Sequence, residues 1–211
     1  MVLYGDSHAG MWFQALNAIA IRARWRLVIL FKEGCAASLS PHYQPGGGGG
    51  GDWVACNQWH RYVTKRIRQI DPALLIVSQA SFYGSGNQRL QRGLRRLFTR
   101  AVSPRTAKVM IGNPTISVAG SAPDCLTRHM DDVQACSGPP DSVRSRLNNV
   151  EQRAATAGGA RYINVIPWFC TKVCSDVIGH YAVYTAGDHV TVGYSFFLEN
   201  VLAKALRLPT S

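Results

Sequence analysis

Apolar positions along the chain follow two rhythms. Five short runs are almost continuously apolar: Met1-Val2-Leu3-Tyr4, Leu27-Val28-Ile29-Leu30-Phe31 behind Arg26, Leu74-Leu75-Ile76-Val77, Val109-Met110-Ile111 between Lys108 and Gly112, and Tyr162-Ile163-Asn164-Val165-Ile166. Runs of this length between turn residues predict buried strands. Between them the apolar positions recur at three and four. Trp12, Leu16, Ala20 and Ile21 predict a helix over Ala9–Trp25, and Trp59, Val63, Ile67 and Ile70 one over Cys56–Ile70, closed by Asp71-Pro72. Leu90, Leu94, Leu97 and Phe98 predict a helix over Asn87–Ala101. Val143, Leu147, Val150 and Ala154 predict another, capped by Asp141 and stopped at Gly158-Gly159. A last helix is expected over Val192–Leu206. Strands buried on both faces and alternating with helices predict an α/β fold. The expected architecture is a three-layer α/β/α sandwich on a five-stranded parallel sheet, flavodoxin-like in layout.

Two stretches break the rhythm. Residues 45–52 hold six consecutive glycines, Gly46 to Gly51, which is the composition of a flexible loop. The run has neither the lysine nor the helix context of a phosphate-binding loop. Pro114 to Pro140 reads as a long irregular connection, unusual in a small domain unless stapled or functional. At 211 residues the chain suits a single domain over 1–211, with 45–52 as a loop within it.

Composition narrows the partners. The net charge is +11, from 23 Lys and Arg against 12 Asp and Glu. Such a balance suits anionic partners, yet no nucleic-acid-binding motif is present and none is expected as a partner. Arg89, Arg92, Arg95, Arg96 and Arg100 fall on the polar side of a predicted helix. Six cysteines in local order suggest the pairs Cys35 with Cys56, Cys125 with Cys136, and Cys170 with Cys174, although six cysteines allow 15 pairings. Zinc is the rival reading; the spacings lack a Cys-x2-Cys pair with matching histidines, so no metal is expected. Disulfides imply an oxidising compartment. No apolar run reaches the ~18 residues of a membrane span. A core strand starts at Met1 with no leader before it, so the chain reads as a domain excised from a longer exported protein.

One stretch carries candidate chemistry. Gly5-Asp6-Ser7-His8 lies between the first strand and the first helix. As residues alone, Asp6-Ser7 is also an ordinary capping pair. The carboxyl end of a strand in an open α/β sheet is where ligands bind, and a serine at a helix start has N–H groups nearby for a developing oxyanion. A nucleophilic serine needs a base. Among the six histidines, His189 has the suggestive setting, in Gly187-Asp188-His189-Val190-Thr191, where a loop is expected.

Gly5-Asp6-Ser7-His8 and Asp188-His189-Val190-Thr191 resemble the first and last blocks of the SGNH/GDSL hydrolase superfamily. The resemblance is closer to the extracytoplasmic SGNH domain of acyltransferase family 3 proteins. It is supported by Lys32-Glu33-Gly34-Cys35, Pro167-Trp168-Phe169-Cys170 through Cys174, and Val183-Tyr184, and it covers essentially the whole chain. It implies an SGNH hydrolase fold with Ser7 as nucleophile and His189 as base. The oxyanion would be held by the N–H groups of Ser7 and Gly34 and by a side-chain donor from Gln79 or Ser81, since no Asn stands within Ser78-Gln79-Ala80-Ser81. No cofactor is implied. The implied activity is O-acyl (acetyl) transfer to cell-envelope carbohydrate or glycolipid through a serine acyl-enzyme. The implied partners are an acylated donor, a carbohydrate or glycolipid acceptor, and an upstream membrane acyltransferase domain, with the chain on the extracytoplasmic side. A GDSL-type esterase or deacetylase, or a non-catalytic carbohydrate-docking domain, are the alternatives.

The chain departs from the superfamily at one position. An Asp three residues before the His is usual there; this chain has Ala186. The nearest carboxylate is Asp188, adjacent to His189. Successive side chains of an extended segment point to opposite faces, so adjacency favours a Ser–His dyad unless a turn at Gly187 folds Asp188 back. Asp188 is the candidate acid.

Overall fold

The first apolar run forms β1 (Val2–Gly5), buried along its whole length. In this computed structural model, which describes residues 1–40, 53–80 and 86–208, β1 pairs in parallel with β2 (Val28–Phe31) on one side and β3 (Leu74–Ser78) on the other. β4 (Ala107–Ile111) and β5 (Arg161–Ile163) complete a parallel five-stranded sheet in the order β2-β1-β3-β4-β5. That is the flavodoxin-like order, and the α/β class expected from the apolar runs holds. The glycine-rich stretch 45–52 and Ser81 lie outside the described residues.

The chain forms two compact units, each built from interleaved segments. The first comprises Met1–Gly10, Arg26–Gly112 and Leu147–Ile163, and so contains the sheet. Here α3 (Val54–Ile70), α4 (Gly86–Arg100) and α6 (Ser142–Ala157, from Leu147 on) cover one sheet face. Val63 and Ile67 of α3, Leu90, Leu94, Leu97 and Phe98 of α4, and Val150 and Ala154 of α6 share a core with Val2, Tyr4, Leu75, Val77 and Met110. The sheet residues alternate, as one face of a strand requires. The disulfide Cys35–Cys56 ties the segment after β2 to α3, with His60 Nε2 2.9 Å from the Ala36 carbonyl. Gly5 is required by close approach: a Cβ there would lie 1.7 Å from the Ser78 carbonyl oxygen.

The second unit comprises Met11–Trp25, Asn113–Arg146 and Asn164–Ser211. In it α2 (Phe13–Arg22) meets α8 (Glu199–Leu206), where Arg22 ion-pairs with Glu199. Two small hairpins pair β6 (Val177–Ile178) with β7 (Tyr181–Ala182), and β8 (Tyr184–Ala186) with β9 (His189–Val190). Disulfides join Cys125 with Cys136 and Cys170 with Cys174.

Four sequence expectations change. The first helix does not run unbroken from Ala9: α1 is Ser7–Gly10, and α2 starts at Phe13 after a turn holding the buried Trp12, edge-on to Trp168 at 6.2 Å. Ile21, assigned inward by spacing, is 69% exposed, and Val143 at the start of α6 is 50% exposed. The last helix is two, α7 (Val192–Phe197) and α8, parted at the buried Leu198. Residues 114–140 are not structureless: Ser121 caps α5 (Ala122–Arg128), and a 3-10 turn, Val133–Cys136, is stapled to it by Cys125–Cys136.

Burial also shapes the alkaline limit of the fold. Desolvation raises the phenols of Tyr4, Tyr162 and Tyr184, with the charges of Asp6, Glu151 and Asp176 adding to it in turn. It pushes Tyr194 up to about 12. A phenol raised in the folded state holds its proton more tightly than in the unfolded chain. Its stabilising contribution is complete below the ordinary tyrosine value and is lost as pH rises through the folded value. Stability should therefore fall steadily above about pH 10. Absorbance titration should show Tyr4, Tyr162, Tyr184 and Tyr194 ionising later than free tyrosine. Simultaneous ionisation of all eight tyrosines in a folded chain would contradict this.

Candidate active site

β1, β2 and β3 leave the sheet at one level, because Gly5 stands opposite both Phe31 and Ser78. Ser7, Gly34 and Gln79 therefore follow strand ends at a common sheet edge. The chain is pinned there by Asp6. Its fully buried carboxylate accepts the N–H of His8 at 2.9 Å and, from the end of β3, the N–H of Ala80 at 2.8 Å. Burial raises the Asp6 carboxyl, opposed by the His8 charge and these backbone N–H groups. The Asp6 carbonyl accepts from Ala9 at 2.9 Å and Gly10 at 3.2 Å, so Asp6 caps α1 and Ser7 is its first residue. α1 is a single turn. A macrodipole needs aligned peptide units, so stabilisation at Ser7 would come from individual N–H groups.

The oxyanion candidates divide. Gly34 lies in a tight turn in which the Cys35 N–H bonds the Lys32 carbonyl at 3.0 Å. Gln79 is wholly buried and tied down: its carbonyl accepts from the Ser38 N–H at 2.8 Å, and its amino group donates to Glu151 at 3.3 Å. The side chain thus links the segment after β2 to α6. Ser81, the other candidate, lies outside the described residues.

In the second unit, His189 is not on an open loop. It begins β9, directly opposite Ala186 of β8, and Gly187-Asp188 is the two-residue turn between them. Glycine suits the first turn position because φ there is +53°. The Ser117 N–H holds the Gly187 carbonyl at 3.1 Å. Because Asp188 belongs to the turn, the alternation rule for extended chain does not apply to it. Its Oδ1 lies 3.1 Å from His189 Nδ1. The expectation that favoured a dyad gives way to a geometry with a carboxylate on the ring.

Sequence reasoning missed a further residue. Arg144, on the first turn of α6, ion-pairs with Asp188 Oδ2. Both side chains are only 10% exposed, whereas His189 is 36% exposed. Each oxygen of one carboxylate thus has its own partner, a guanidinium and an imidazole. No local pattern announces Arg144, since 44 residues separate it from Asp188. Tyr184 lies nearby, its phenol raised by burial and by Asp176, Tyr194 and Asp188.

A flavodoxin-ordered parallel sheet with Gly-Asp-Ser-His after its first strand and an Asp–His pair near the C-terminus defines an SGNH-type α/β protein. The chain belongs to the SGNH domain family whose members are fused to AT3 domains; the family model matches residues 1–204. Among solved structures, it is similar to the periplasmic domain of the lipopolysaccharide acetyltransferase of Salmonella ser. Paratyphi A. The match has a TM-score of 0.74 at 14% identity and covers 97% of this chain and 82% of that one. At that identity the likeness is one of fold. No curated protein matches the chain.

Proposed function

We propose that this chain is a serine-dependent acyl-transfer domain that moves acyl groups, acetyl first among them, to a hydroxyl of cell-envelope carbohydrate or glycolipid. The observation that carries the reading is the Asp188 carboxylate on His189 Nδ1. An acceptor on Nδ1 fixes the tautomer with its proton there and leaves Nε2 as the basic nitrogen. In the proposed mechanism, Nε2 takes the proton from the Ser7 hydroxyl as Oγ attacks the acyl carbonyl. The N–H groups of Ser7 and Gly34 stabilise the oxyanion. The leaving group departs with the proton from His189, and the acyl group stays on Ser7 as an ester. An acceptor hydroxyl, deprotonated by the same nitrogen, then takes it; water in its place would give an esterase.

Three disulfides support an extracytoplasmic setting. Membership of a family fused to AT3 domains supports a membrane acyltransferase domain as donor partner. The structural neighbour, a lipopolysaccharide acetyltransferase domain, supports an envelope acceptor. Among the described residues, no helix is long and apolar enough to cross a membrane. The interleaving of the two units along the sequence supports one folding domain over 1–211.

A fluorophosphonate probe tests the reading. The folded chain should become labelled on Ser7, as located by peptide mapping. Labelling elsewhere, or none, would refute the serine assignment and return the docking-module alternative.

A further inference from the structure

The charge of this protein is concentrated in two helices. α3 and α4 together carry Arg61, Lys65, Arg66, Arg68, Arg89, Arg92, Arg95, Arg96 and Arg100, and no Asp or Glu. These nine cations stand against a net charge of +11 for the chain, so the two helices supply +9 of it. All nine side chains are exposed. Between Trp53 and Ala107 the sole acid is Asp71, already paired with Arg105 at 3.5 Å.

The cations form one array. Arg61, Lys65 and Arg68 repeat at four and three on α3, which puts them on one stripe. With Arg96 of α4 they line a concave surface. Arg96 also borders a second hollow with Arg92, Arg95 and Arg100. The two helices are joined at one end, where the Arg68 Nε donates to the Arg100 carbonyl at 3.1 Å. Like charges this dense repel one another, and no intramolecular acid in these helices offsets them. Such a surface gains free energy when an anionic partner replaces its counterions.

We propose that the outward face of α3 and α4 docks on an anionic lipid bilayer. The breadth of the array favours a surface over a linear polymer, because the cations are spread over helices of 17 and 15 residues rather than lining a single track. Tyr62 of α3, 54% exposed and three residues before Lys65, adds an amphipathic ring of the kind that settles at headgroup level. The contact would set the domain against the membrane with α3 and α4 downward. The inference does not depend on the acyl-transfer chemistry, and a failure of either leaves the other standing.

Vesicle co-sedimentation of the full chain tests it. The chain should bind phosphatidylcholine vesicles containing about one-third phosphatidylglycerol in low salt. It should bind pure phosphatidylcholine at least about tenfold more weakly and be released at about 0.5 M salt. A variant with Arg61→Gln, Lys65→Gln, Arg92→Gln and Arg96→Gln should lose about 100-fold or more in partition coefficient, since each cation near such a surface contributes roughly fivefold. A control carrying Arg128→Gln, Arg146→Gln, Lys172→Gln and Lys204→Gln, four exposed cations elsewhere, should stay within about threefold of the parent chain. Equal losses in both variants would show a diffuse charge effect and overturn the proposal. Binding to soluble polyphosphate without sedimentation on anionic vesicles would also overturn it.

Discussion

Ser7→Ala should lower turnover of p-nitrophenyl acetate by about 10⁴-fold or more, the scale on which serine nucleophiles are missed in acyl-transfer enzymes. The fold should survive the change. What fixes the turn after β1 is Asp6, whose carboxylate holds the N–H groups of His8 and Ala80 and whose carbonyl holds those of Ala9 and Gly10. These bonds are made by Asp6 and by backbone groups, so the turn scaffold does not depend on the Ser7 hydroxyl. The melting temperature should fall by no more than the few degrees that loss of one side-chain hydrogen bond, about 1 kcal/mol, costs in a domain of this size. Fluorophosphonate labelling should vanish together with turnover. A folded Ser7→Ala protein that hydrolyses the ester within tenfold of the parent rate would place the nucleophile elsewhere.

Some of this architecture can be read from the residues and some cannot, for physical reasons. The five strands are legible because a strand buried in a parallel sheet reads as a short apolar run between turn residues. The helix breaks are not. Nothing at Leu198 resembles a breaker: it is a good helix former, and the break there leaves no mark that local propensity reads. The short helix at Ala122 could have been found, since Ser121 followed by Pro123 and Asp124 is a recognisable start, its hydroxyl accepting from the Asp124 N–H at 3.4 Å. Exposure of Ile21 shows a limit of periodicity: spacing finds the inward stripe but not how far its edge is covered. At the candidate site, Ser7 and His189 are named by motif chemistry and Asp188 only as the nearest carboxylate, because the usual acid position is Ala186. Arg144 is not, because a long-range ion pair leaves no mark in either partner's neighbourhood. Asp188 escapes the alternation rule for a simpler reason: that rule holds for extended chain, and Asp188 sits in a turn.

Asp188→Asn is expected to approach the effect of His189→Ala, with a loss of about 10⁴-fold, the scale seen when such an acid is made neutral in a Ser-His-Asp triad. The argument lies in the two partners of one carboxylate. In the parent chain Oδ1 faces His189 Nδ1 at 3.1 Å, and Oδ2 faces the Arg144 guanidinium. An asparagine has one acceptor oxygen and one donor amino group. The guanidinium carries only donors, so it claims the oxygen, and the amino group is turned toward Nδ1. Nδ1 must then accept, which moves the ring proton to Nε2, and the base no longer has a lone pair for Ser7. The same substitution leaves a mostly buried guanidinium without its counter-charge, so some stability should be lost as well, a cost of about 3–5 kcal/mol for a broken buried ion pair. Two measurements separate these effects. Thermal melting reports the ion pair. Turnover of p-nitrophenyl acetate by the fraction that remains folded reports the tautomer. Asp188→Asn protein that stays folded and keeps turnover within tenfold of the parent would mean that the ring is oriented by something other than Asp188, and the site would then work as a Ser–His dyad.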